Sequence, residues 1–433
     1  MKQTVDNSEG PIGALEKAGA KLIWIRKSDN FVLQFFAGPE LQTPVKPEFL
    51  HIGKSGDLIQ NLPASGVPFG LILDHTKVKD EVLKDLAPLT NLQTINFFYT
   101  TASDEGLKDL ATLTNLQNLG LGLSPVTDAG LKELAPLTKL LTLDLKCTHV
   151  TDAGMKDLAP LANLRVLNLS FTEVTDAGLK YLAPLTNLQS LDLSKNKVTD
   201  AGLKNLAKLT DLNSLVLDHT EVTDARLKDL ATLTNLQLLD LSNTEVTDAG
   251  LKNLAKLSNL QTLVLTSTQV TDAGLKNLAR LTNLLTLDLS GTQVTGSGLF
   301  DLAPITKLQA FSLGDTKVTD AGIKNLTPLT NLQKLGLSST QVTNAGLKDL
   351  TTLTNLQMLD LSRTKVTNAG LKDLATLTNL RWLWLTDLKV TDAGVKELAP
   401  LTKLQWLSLS STKVTDAGIE ELQTMLAGCE IIN

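Results

Sequence analysis

Four histidines and two cysteines carry most of the metal-ligating and nucleophilic chemistry in this 433-residue chain, and they are scattered. His51, His75, His149 and His219 show no His-x-x-x-His or His/Cys spacing that could close around zinc, so no metal site is expected. Cys147 and Cys429 are far apart in sequence and form neither a disulfide framework nor a thiol cluster. The pair Asp74-His75 recurs as Asp218-His219, six repeat periods later, hence about 29 Å or more along a stack of strands, too far for one catalytic group. Gly53-Lys54-Ser55 has the ending of a phosphate-binding loop but Glu48 where the first Gly must stand, and a polar turn explains it better. No cofactor is expected, and the chemistry-bearing residues point away from an enzyme.

Residues that recognise partners are more informative. Trp382 and Trp384 alternate along one segment, and Trp406 follows Trp382 by one period, so three of the four tryptophans share one face. Met358 extends that column, and Asp360, Arg363 and Asp387 could rim it. Exposed aromatics are typical interface anchors, which marks a candidate binding hot spot; the alternative is that the rings pack on the C-terminal end or on each other. Phe98 and Tyr99 form a second, weaker candidate, while Phe97 falls on a core column. An acidic column, Asp144, Asp192, Asp240, Asp288 and Asp360, is interrupted by Asn168, Val216 and Val264, which keeps like charges roughly 10 Å apart. It reads as a solvated face, with a basic partner as the alternative.

A single periodicity positions all of these residues. The string VTDAG, or a variant, begins at Val126, Val150, Val174, Val198, Val222, Val246 and Val270 and recurs to Val414 at a spacing of 24 residues. Extending the register back through Ala102 to Val78 gives about 15 units. In residues 140–163, Leu143 and Leu145 alternate with Thr142, Asp144 and Lys146, which predicts a short strand with one buried face. Thr151 or Asp152 then offers an N-cap oxygen, and Met155 and Leu158 predict about two turns of helix before Pro160. The Gly of VTDAG is Arg226 in one copy and Val82 in another, so a positive φ is not obligatory there and close packing explains it better. Thr two places before the valine (Thr76, Thr148, Thr172, Thr220, Thr244, Thr268), replaced by Asn196 and Leu388, predicts a buried hydroxyl column bonding turn backbones.

One such unit cannot stand alone. Roughly seven apolar columns, each contributing about 1.5–3 kcal/mol when buried, barely offset about 1–2 kcal/mol of backbone ordering for each of its residues. Stability must come from stacking neighbours on one continuous core. Strands stack about 4.8 Å apart while helices need about 8–10 Å, so the stack is expected to curve with the sheet inside. The expected class is α/β: a curved solenoid with a parallel β-sheet on the concave face and short helices on the convex face.

These features resemble the leucine-rich-repeat superfamily, whose L-x-x-L-x-L-x-x-N pattern is matched with Thr largely replacing Asn. The 24-residue length and GLKxLA segment are similar to bacterial GALA-type and cysteine-containing repeats. The resemblance covers most of the chain and implies a scaffold binding a protein partner on its concave face. The GALA-type likeness would further imply a substrate-recognition adaptor for a ubiquitin-ligase-like machinery, built on an F-box-like segment; residues 1–66 show none. An envelope or extracellular adhesion module is the other alternative, if an export leader is missing.

The ends depart from the register. Residues 1–66 are expected to form an N-terminal cap: a short helix, two strands (KLIWIRK and FVLQFFAG) and a degenerate repeat at 43–66. The solenoid then occupies 67–427, and 428–433, with Ile431 and Ile432, form a C-terminal cap strand. With 40 basic against 46 acidic side chains and a net charge of −6, nucleic acid and anionic membrane are not expected partners. The first residues lack a secretory apolar core and no run of about 18 apolar residues occurs, so a cytoplasmic monomer is expected.

Overall fold

The computed structural model describes residues 21–22, 48–51, 69–75 and 78–433. The structure divides into two compact units, the first ending at Val216 and the second spanning Leu217–Asn433.

In the first unit, parallel strands follow one another in sequence order: Glu48–His51, Phe69–Ile72, Leu92–Asn96, Asn118–Gly120, Thr142–Asp144, Val166–Asn168, Ser190–Asp192 and Ser214–Val216. Lys21–Leu22 adds to Glu48–His51 in antiparallel sense. The second unit repeats the arrangement from Leu238–Asp240 to Glu430–Ile432, its register advancing 24 residues per strand through most of its length, as in Leu239↔Leu263 and Leu383↔Leu407. Each strand is three residues long in most repeats because only the central leucine of its x-Leu-x core must point inward. The cap proposed for residues 1–66 lies mostly outside the described residues, as do Gly53-Lys54-Ser55 and Thr76.

Opposite the strands lie short helical segments. They range from the seven-residue α-helix Asp200–Leu206 to the single 3-10 turn Met155–Leu158, shorter than the two turns expected for that unit. Thr is the N-cap: in unit after unit its side-chain oxygen accepts the N–H two residues on, as Thr151 does from Ala153. Asp416–Met425 is longer, at ten residues, and leads into the last strand.

Between sheet and helices the leucine columns are sealed. Leu140, Leu143, Leu145, Val150, Met155, Leu158 and Leu161 are all fully buried, and their counterparts are buried along both units up to the last repeat, where Ile419 is half-buried. Phe97 sits in this core, as its column requires.

Neighbouring repeats are tied by a ladder that uses the Thr-Asp of VTDAG. Asp128 Oδ1 accepts the N–H of Thr151 at 2.8 Å and its Oδ2 accepts the Thr151 hydroxyl at 2.7 Å. The same pair joins Asp152 to Thr175, Asp248 to Thr271 and Asp320 to Thr343. Where Asn344 and Asn368 replace Asp, the amide oxygen accepts the N–H and the amide nitrogen donates to the hydroxyl. The glycine three residues after the Thr is explained here: a Cβ on Gly154 would collide with the Asp128 carboxylate. Close approach, and not a positive φ, is what this glycine supplies.

The hydroxyl column at Thr148 bonds within its own turn. Thr148 Oγ1 donates to the Leu145 carbonyl at 2.7 Å, and Thr244 and Thr340 do the same three residues back. Among the described residues of this column, Asn196 alone reaches the preceding repeat, donating to the Leu169 carbonyl and accepting from Thr172 N–H. Leu388 fills the position with a buried apolar side chain.

Candidate functional site

The outward face of the sheet is made by the residues flanking each central leucine. In the second unit the register sets Met358 beside Trp382 and Trp382 beside Trp406, while Asp360 lies beside Trp384 and Trp384 beside Ser408. Three tryptophans therefore occupy two adjacent strands of one face. They are half-buried, a departure from the open exposure expected of them. Parallel neighbours stand only about 4.8 Å apart, so each ring shares its outward space with the side chains of the adjacent strands. The Trp406 indole N–H is fully buried and has no hydrogen-bond partner among the described residues. Arg363 and Asp387 do not rim the face in strand positions. Both lie in the turn beyond the strand, with Arg363 Nε 3.8 Å from Asp387 Oδ2, and both are exposed.

The acidic column proves to be part of the turn. Asp144 Oδ1 accepts the Lys146 N–H at 2.9 Å, and Asp192, Asp240, Asp288 and Asp360 accept the N–H two residues on in the same way. Asn96 and Asn168 make the bond with an amide oxygen. The column thus recurs because a short side-chain acceptor closes this turn, whatever its charge. Asp144 also differs from the solvated face expected, being only 7% exposed. A Cβ on Gly122 would meet both the Phe98 ring, at 2.9 Å, and Asp144 Oδ2, at 3.2 Å, so that ring and carboxylate lie together over the glycine. Burial raises the Asp144 pKa to about 6, against the opposing pull of the Lys146 N–H and ammonium.

Immediately after this turn the chain enters the left-handed region once per repeat. His75, Tyr99, Leu123, Cys147, Phe171 and Lys195 hold φ between 54° and 58° in the first unit. In the second unit the column reads His219, Asn243, Ser267, Gly291, Asp315, Ser339, Arg363, Asp387 and Ser411. Its N–H groups extend the strand ladder, as Cys147 N–H does to the Ser170 carbonyl at 2.9 Å. Sequence reading missed this column because a single glycine, Gly291, marks it. Tyr99, one of the weaker candidates, belongs to it and is 59% exposed; Phe98 is half-buried beside it.

The opposite strand edge carries amides. Asn331, Asn355 and Asn379 each donate to the carbonyl of a residue 25 positions earlier, tying repeat to repeat. With Gln333, Gln357, Arg381 and Lys403 they line a shallow polar cavity of about 430 Å³.

Strand, left-handed turn, capped short helix and amide edge recur together every 24 residues, and sequence comparison names the pattern. A leucine-rich-repeat model matches residues 137–159, 232–255, 256–279, 280–303 and 352–375, and a two-copy leucine-rich-repeats model matches 162–205. The chain belongs to the leucine-rich-repeat superfamily.

Solved leucine-rich-repeat structures agree. An internalin (inlF) of Listeria monocytogenes is 28% identical over 71% of this chain and 88% of its own, with a TM-score of 0.58. A leucine-rich-repeat protein of Leptospira interrogans shares the fold at 24% identity and a TM-score of 0.60, covering 88% of this chain and 100% of its own. The leucine-rich-repeat ectodomain of an Arabidopsis thaliana membrane receptor kinase, solved with Casparian strip integrity factor 2, shares it at 17% identity. Its TM-score is 0.50, over 98% of this chain and 61% of its own. No curated protein matches the sequence. Leucine-rich-repeat folds are typically binding scaffolds without catalysis of their own and generally mediate protein–protein interaction.

Proposed function

We propose that this leucine-rich-repeat chain is a non-enzymatic protein-interaction scaffold that binds its partner on the outward, concave face of the sheet. The observation that carries the reading is the register that puts Trp382, Trp384 and Trp406 on two adjacent strands, with Met358 continuing the column. Aromatic anchors of this kind supply large contact area with little loss of side-chain freedom. Elsewhere in the second unit this face carries smaller side chains, such as Thr262, Val264 and Thr286, and no other aromatic ring as large as tryptophan among the described residues. Asp360 borders the aromatic patch and would orient a partner without anchoring it.

The residues that support a finer class are those of the GLKxLA unit, which resembles the bacterial GALA-type and cysteine-containing repeats. Its working place would be the cytoplasm, with which two free thiols, Cys147 and Cys429, are compatible.

The test is affinity capture from lysate of the source organism, comparing the intact chain with a W382S/W384S/W406S variant that keeps a cooperative melt. The expected result is a protein retained by the intact chain, cross-linking to this face, and lost from the variant. Retention of the same proteins by both chains would overturn the placement of the site.

A further inference from the structure

The left-handed column of the first unit carries large apolar side chains where solvent and backbone both oppose them. Tyr99, Leu123 and Phe171 are 59%, 39% and 45% exposed, with half-buried Cys147 between Leu123 and Phe171. An L-residue in this conformation costs about 1–2 kcal/mol, and for bulky side chains it is an outlier. The second unit fills the same column with small or polar residues. The fold therefore does not demand apolar groups here; the first unit carries them in four consecutive repeats.

The ridge has a charged end. Lys146 Nζ and Lys195 Nζ stand 5.8 Å and 5.0 Å from the Phe171 ring centroid, and among the described residues neither ammonium has an ion-pair partner. Of the carboxylates in these repeats, exposed Glu173 faces His149 at 3.9 Å, Asp144 beside Lys146 is buried, and half-buried Asp192 accepts the N–H and the hydroxyl of Ser194. At the other end the His75 ring packs on Tyr99 at 5.1 Å between centroids, with Asp74 its neighbour in sequence.

We propose that this ridge docks an amphipathic helix of a partner protein, its apolar stripe on Tyr99, Leu123, Cys147 and Phe171 and an acidic end against Lys146 and Lys195. The spacing selects a helix. Ridge side chains follow the strands at about 4.8 Å, so four of them span about 14 Å. A helix returns a side chain to one face every turn, about 5.4 Å, and stays within about 2 Å of register over three steps. An extended strand repeats on one face every ~6.7 Å and would be about 6 Å out over the same distance. The ridge belongs to the first unit and the tryptophans to the second, and the proposal does not depend on the tryptophan face.

The test uses the full chain and three fluorescein-labelled 15-residue probe peptides. Two are stapled helices with leucines spaced i, i+4, i+7 and i+11, ending in three Glu or three Lys; the third is the Glu peptide with central prolines, which cannot be helical. The acidic helix is expected to bind at least tenfold tighter than either of the others. It should slow alkylation of Cys147 and leave Cys429 unaffected. K146E/K195E should reverse the preference toward the Lys peptide, and Y99S/L123S/F171S should abolish binding, with melts unchanged in the charge-reversal chain. Equal binding of all three peptides, or of none, overturns the proposal. So does preferential binding to phosphatidylserine vesicles, or ridge-dependent dimerisation of the free chain in sedimentation.

Discussion

The carboxylate of Asp104 reaches across a repeat boundary to Thr127, accepting its N–H at 2.8 Å and its hydroxyl at 2.6 Å, while the same hydroxyl caps the helix by accepting from Ala129. One residue pair thus joins two repeats and starts a helix. Hydrogen bonds to a charged acceptor contribute about 1.5–3 kcal/mol, and in a repeat array such boundary contacts set how cooperatively the units unfold. At the half-buried equivalent pair, Asp248→Ala is expected to destabilise by about 2 kcal/mol. Asp248→Asn should cost under about 1 kcal/mol, because Asn344 and Asn368 already make both bonds. Urea melts followed by circular dichroism check both; equal losses would show that charge, and not geometry, holds the boundary.

Gly250 tests the other half of the joint. A Cβ there would collide with the Asp224 carboxylate and come within 2.7 Å of Leu227 Cδ1. Gly250→Ala should therefore destabilise by about 1–3 kcal/mol, although alanine is the better helix former. Combining it with Asp224→Ala should cost less than the sum of the single changes, since the second removes what the first strikes. Strict additivity in the double-mutant cycle would refute the steric explanation.

Two carboxylates should shape the acid dependence with opposite sign. Burial raises the Asp144 pKa from 3.8 to about 6, so the folded state binds this proton more tightly and its contribution falls as pH rises from about 4 to 6. Asp144→Asn, which keeps the acceptor for Lys146 N–H, should then stabilise the chain by about 1–3 kcal/mol at pH 7 and leave it nearly unchanged at pH 3.5. At Asp272 burial pushes the pKa up, but bonds from the Thr295 hydroxyl and from Gly298, Thr295 and Gly296 N–H outweigh it, so the pKa is lowered. Its contribution is present above the unfolded value of 3.8 and is lost as pH falls below it. Melts of wild type, D144N and D272N from pH 3 to 8 separate the two; a D144N chain no more stable than wild type at neutral pH would contradict the burial of Asp144.

The two thiols should differ in reactivity. Burial raises both, most at Cys429, whose pKa reaches about 11 and which is 3% exposed. Cys147 is raised less and lies half-exposed on the ridge. Iodoacetamide at pH 8 is expected to modify Cys147 several-fold faster, read by peptide mass spectrometry. Equal rates would mean that the C-terminal strand opens readily.

The sequence by itself determined the unit, its period and its buried side. Leu143 and Leu145 two apart, Met155 and Leu158 three apart, and the 24-residue return of VTDAG leave a stacked strand-and-helix coil as the arrangement that buries every apolar column. It also placed Met358, Trp382 and Trp406 in one row, because a fixed period converts sequence spacing directly into strand register. What the period could not show were relations set by three-dimensional proximity. The Asp128 carboxylate against Gly154 is an inter-repeat contact, which no local propensity encodes. The turn role of Asp144 depends on where the Lys146 N–H points, and its raised pKa on the burial it shares with Phe98 over Gly122. The left-handed column has almost no glycine to announce it, because in most repeats a ladder bond from the N–H and a Thr hydroxyl behind it hold the turn whatever side chain stands there. The period alone sets Tyr99, Leu123, Cys147 and Phe171 in one row, 24 residues apart; only the folded chain decides that this row is left-handed and turned toward solvent, since both depend on how the turn is held between neighbouring strands.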